Sequence, residues 1–120
     1  MIRPVHATVV VALIVVSAVS VFAHMKTTKM EPAADALLSA SPAKVQIWFT
    51  ETPDLKVSKL TLTGPSGVVK TGALTVQEKS MVASLDVKLG DGKYTANWQA
   101  AGDDGHVQTG EFSFSVKTTH

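Results

Sequence analysis

The chain has 120 residues, enough for one domain, and no cysteine, which excludes disulfide staples and thiolate sites for zinc or Cu(I). Its formal charge is +1. Arg3 is its only arginine, and the lysines downstream balance the acids, so no basic patch points to nucleic acid.

The amino terminus reads as a targeting segment. Arg3 supplies a short positive region, Val9 to Val16 an apolar run, and Val21-Phe22-Ala23 puts small residues where a leader peptidase cuts. A signal anchor is the competing reading, since the apolar stretch runs on to Phe22, but the run falls short of the roughly 20 residues of a spanning helix, and no second stretch reaches that length. The expected organisation is a signal peptide over 1–23 and one exported domain over 24–120. Cleavage after Ala23 makes His24 the first residue of the mature chain. An amino-terminal histidine offers a metal both its α-amine and its imidazole, a strong chelate for Cu(II).

The mature part reads as short strands divided by turn residues. A first strand is expected near Met25–Met30. Val45 to Phe49 alternates apolar and polar, except that Trp48 falls on the outward face. Leu60 and Leu62 share a face, and Gly64-Pro65-Ser66-Gly67 marks a turn. Leu74 and Val76 make a weaker strand. Met81, Ala83, Leu85 and Val87 recur with a period of two, before a tight turn at Gly90-Asp91-Gly92. Tyr94, Ala96, Trp98 and Ala100 form one face of a long strand, and Phe112, Phe114 and Val116 one face of the last. About seven strands at this spacing predict an all-β sandwich or small barrel. Ala33–Leu38 alone has helical character. Lys26 and Lys29 read as solvated, and Lys117 to His120 as a frayed tail.

Chemistry concentrates in the connection before the last strand, Ala101-Gly102-Asp103-Asp104-Gly105-His106. Asp104 and His106 are two apart, so in an extended segment both side chains point the same way. Gly105 lets the backbone bend toward a ligand. Asp-Gly is also a common hairpin-turn dipeptide, so a plain solvated turn is the competing reading. Together with His24, the loop offers an amine, two imidazoles and a carboxylate. Imidazole and carboxylate suit copper, zinc and nickel, and a tetragonal mixed N,O set points to Cu(II). Asp103 is the alternative carboxylate.

These residues resemble the CopC-type periplasmic copper-resistance proteins. His24 followed by Pro32-Ala33 is similar to the family's mature start. Ser41 to Glu51, with Pro42-Ala43-Lys44-Val45 and Phe49-Thr50-Glu51, matches its "Pro-Ala-x-Val-x-Leu-x-Phe-Ser-Glu" segment. Gly92 to Trp98 is similar to its "Gly-x-Tyr-x-Val-x-Trp" strand, and Asp104 to Gly110 to its "Asp-x-His-x-x-x-Gly" ending. The resemblance implies a seven-strand Greek-key β-sandwich that binds one Cu(II). It implies His24, Asp104 and His106 as ligands, with Glu51 beside the copper as a further ligand or as a hydrogen-bond acceptor. It implies a monomeric periplasmic or extracellular protein whose partners are the copper ion and a membrane copper importer of the CopD type. Some members carry a methionine-rich loop for Cu(I). Here the stretch from Val57 to Val82 holds only Met81, so a Cu(II)-only variant is expected.

No acid–base or nucleophile constellation appears beyond these ligands, so catalysis is not expected. Two other readings remain. One is a histidine-brace copper oxidase akin to the lytic polysaccharide monooxygenases. The other is a metal-free Ig-like interaction module.

Overall fold

The computed structural model describes residues 25–118. The leader over 1–23, its cleavage point, His24 and His120 lie outside the described residues.

Strands β1 (Thr27–Glu31), β3 (Lys44–Phe49), β6 (Leu74–Gln77) and β7 (Ser80–Ser84) form a four-stranded sheet in the order β1-β3-β7-β6. Strands β2 (Leu37–Leu38), β4 (Lys59–Gly64), β5 (Gly67–Val69), β8 (Gly92–Ala101) and β9 (Val107–Val116) form a five-stranded sheet in the order β2-β9-β8-β4-β5. All pairs are antiparallel except β2 with β9. The result is the expected all-β Greek-key sandwich. The strand count exceeds seven because of two short pieces. β5 is the return of the hairpin through Pro65-Ser66, whose ends pair Gly64 with Gly67. β2 lies along the last strand.

The period-two residues meet between the sheets. Val45, Ile47 and Phe49 from β3 and Met81 and Ala83 from β7 face Leu62, Tyr94, Ala96, Ala100, Phe112, Phe114 and Val116, all buried. Tyr94 stacks on Phe114 with centroids 5.7 Å apart, and its hydroxyl donates to the Gly90 carbonyl at 2.8 Å. Phe49 meets the edge of Trp98 at 5.3 Å. Trp98 needs Gly110 opposite it, because a Cβ there would stand 2.5 Å from the indole Cζ2.

Three expectations are corrected. Ala33–Leu38 is not helical. Asp35 takes a left-handed φ of 63°, and the segment gives its hydrogen-bonding groups to the last strand, with Ser115 N donating to Ala36 O and Lys117 N to Leu38 O, each at 2.8 Å. A six-residue helix cannot compete with a sheet edge that satisfies the same groups. The strand through Met81 ends at Ser84, and Val87 is exposed instead of facing the core. Lys29 is not simply solvated: its ammonium lies 4.8 Å from the centroid of the outward Trp48 ring and 3.2 Å from Glu31.

Candidate metal centre

The loop of Gly102 to His106 closes the hairpin between β8 and β9. Gly105 N donates to Gly102 O at 3.1 Å, and Gly105 adopts a φ of 75°, a left-handed conformation that costs glycine little. This turn, and not an extended segment, brings Asp104 and His106 together. The Asp104 carboxylate folds back over its own loop: Oδ1 accepts from the His106 backbone N–H at 3.0 Å, and Oδ2 lies 3.0 Å from His106 Nδ1. The expected convergence is present, but its cause is an Asx-type turn.

A carboxylate on Nδ1 favours the tautomer with its proton there, which puts the ring's lone pair on Nε2, the usual way a second group sets the tautomer of a metal-binding histidine. The carboxylate itself is a hard oxygen donor. The His106 side chain is 59% exposed and the Asp104 side chain 26%, so an incoming ion has access. Asp103 is exposed at the turn.

Glu51 reaches the same end of the sandwich by a different route. It lies on a strap between β3 and a single 3-10 turn (Leu55–Val57), and the strap is pinned at both ends. At one end Thr50 and Lys26 exchange two bonds: Lys26 N donates to Thr50 Oγ1 at 3.0 Å, and Thr50 N donates to Lys26 O at 2.8 Å. At the other end Asp54 N donates to Ala101 O at 2.8 Å, at the close of β8. The Glu51 carboxylate rests on Gly102, where a Cβ would stand 3.0 Å from Oε1. The strap therefore ties the start of the described chain to the Asp104–His106 loop. Met25, the first described residue, is buried in the core and fixes where the chain enters.

Among the described residues no three His, Asp or Glu side chains gather closely enough to hold a metal. Asp104 and His106 form a pair, and Glu51 stands beside their loop. Sequence reasoning singled out these three but missed Thr50 and Gly102. Thr50 sits between Phe49 and Glu51 in the segment already noted, yet nothing in that pattern says that its hydroxyl grips the chain's entry.

A CopC domain model matches residues 27–117. Copper resistance protein C from Xanthomonas campestris pv. juglandis is 33% identical over 96% of this chain and 97% of its own length. Protein YobA from Escherichia coli is 34% identical over 82% of each chain. Among solved structures, PcoC, a methionine-rich copper resistance protein from Escherichia coli, superposes with a TM-score of 0.70 at 31% identity, covering 78% of this chain and 99% of that one. CopC from Methylosinus trichosporium OB3b superposes with a TM-score of 0.73 over 81% of this chain and 97% of that one; at 21% identity it supports the fold alone. The sandwich superposes on that of a copper resistance protein. The chain belongs to the CopC family.

Proposed function

We propose that this chain is an exported Cu(II)-binding protein that sequesters copper in the periplasm or hands it to a membrane importer of the CopD type. Copper is its cargo, and it catalyses no reaction. Cleavage of residues 1–23 gives His24 a free α-amine, and that amine, the His24 imidazole, Asp104 and His106 form the ligand set, with Glu51 alongside. The observation that carries this reading is the Asp104–His106 pair, built by its own turn at the end of the sandwich where the chain also enters.

The methionines favour Cu(II) over Cu(I). Met25 and Met81 are buried, and Met30 is packed against the core, so the described methionines are spent on packing and not gathered as thioether donors. In this respect the chain differs from a methionine-rich relative such as PcoC. Among the described residues no helix is long and apolar enough to cross a membrane.

The test is a Cu(II) titration on exported protein whose first residue has been read by amino-terminal sequencing. A His24 start, one tight equivalent of copper, and at least a tenfold loss of affinity in His106→Ala are expected. A different first residue, or full retention of copper by His106→Ala, would sink the reading.

A further inference from the structure

Thr50 is bonded through its side chain to the segment where the described chain enters the fold. It grips Lys26 on both sides. The hydroxyl oxygen takes the Lys26 N–H, and the Thr50 N–H takes the Lys26 carbonyl. Lys26 lies one residue before β1, where the Thr50 N–H to Lys26 carbonyl bond carries the Thr27–Phe49 pairing one step further, and a register irregularity between Thr27 and Lys29 sets this end apart from the rest of the ladder. Met25, one residue earlier, is 2% exposed and anchored in the core. The peptide ahead of Met25 is thus attached to a backbone held by one buried side chain, one backbone N–H and one hydroxyl. That hydroxyl belongs to the residue next to Glu51, on the strap whose other end is bonded to Ala101.

We infer that Thr50 is a positioning residue for the copper site: its hydroxyl fixes the amino-terminal arm beside the Asp104–His106 loop. The inference rests on the proposed amine-and-imidazole ligation by the mature amino terminus. A chelating arm that is already ordered loses less conformational freedom when the metal binds, so ordering it raises affinity without adding a ligand. Thr50 touches no metal in this role. Threonine suits the task because its oxygen accepts from a backbone N–H, which valine, nearly the same shape, cannot do. Serine keeps the oxygen.

The experiment compares exported wild type, Thr50→Val and Thr50→Ser, each with its first residue verified, by competitive Cu(II) titration and by electron paramagnetic resonance of the copper-loaded protein. Each is repeated with the α-amine blocked by acetylation. The expected result is that Thr50→Val weakens copper binding about two- to tenfold, the range of one lost hydrogen bond, and broadens the copper spectrum, while Thr50→Ser stays close to wild type. With the amine blocked, wild type and Thr50→Val should bind copper equally weakly. A merely structural role would weaken the blocked protein to the same extent, and that result overturns the inference. Equal affinity of unblocked wild type and Thr50→Val overturns it too, and leaves the proposed function standing. If acetylation leaves wild-type affinity unchanged, the amine is not a ligand, and the proposed function and this inference fall together.

Discussion

Gln46 and Ser80 sit on the outward side of the four-stranded sheet, yet both are buried, at 5% and 0% exposure. Polar groups there are tolerable only if they are paired, because an unmet donor away from water costs more than a made bond returns. They are paired in series. Gln46 Nε2 donates to Ser80 Oγ, and the Ser80 hydroxyl donates to Gln77 O, each at 2.8 Å. Ser80→Ala removes the acceptor and leaves a buried amide donor stranded. The expected loss is about 1–3 kcal/mol, read as a lower urea midpoint at unchanged slope. Adding Gln46→Leu to that variant should recover part of the loss, since it removes the stranded group. A single variant as stable as wild type would mean that this chain of bonds carries no stability.

The strap from Thr50 to Asp54 shows how one element couples two others. Glu51 reaches the loop only because Gly102 has no side chain, and Gly102 does not itself need to be glycine for its backbone, since its φ is not among the left-handed ones. Gly102→Val should therefore fold, and it should push the Glu51 carboxylate off the loop. If Glu51 acts at the copper site, Gly102→Val should lower Cu(II) affinity a few-fold. Glu51→Gln should do the same, and the two changes together should cost little more than either alone, as coupled neighbours do. Additive losses would separate Gly102 from Glu51. The alternation of Tyr94 to Ala100 and of Phe112 to Val116 made the two long strands readable, because burial on one face writes itself into every second residue. The same pattern could not reveal β2, two residues long and defined by its partner, or the burial of Gln46, which depends on a serine 34 positions away. At the candidate site, Asp104 and His106 were readable because their spacing is local. The strap was not, since its contacts run from Lys26 to Thr50 and from Asp54 to Ala101.

At the scale of the whole molecule, the proposed ligands come from opposite ends of the chain. His24 precedes the first strand, whereas Asp104 and His106 precede the last. An unfolded chain can hold copper through the amino-terminal amine and imidazole, but only the fold brings the loop donors to the same ion. Copper should therefore bind the native state more tightly and stabilise it. The ceiling is about 2.7 kcal/mol when free metal stands at 100 times the dissociation constant, and any binding to the unfolded chain lowers it. For a domain of this size, 1 kcal/mol is worth roughly 4–8 °C, so a rise in Tm of several degrees and at most about 20 °C is expected. Protons oppose the effect. An amine or imidazole must be deprotonated to bind metal, so acid competes with copper, and the sign is fixed: affinity falls as pH falls. The copper-induced rise in Tm should be largest near about pH 7.5 and shrink toward about pH 5, with the metal-free protein melted at each pH as reference. A rise of equal size at both values would exclude a ligand set built on the amine and two imidazoles. No rise at either would show that the native fold gains nothing from the loop donors. In His106→Ala the rise should shrink at every pH, because what remains is mainly the local chelate that the unfolded chain also possesses.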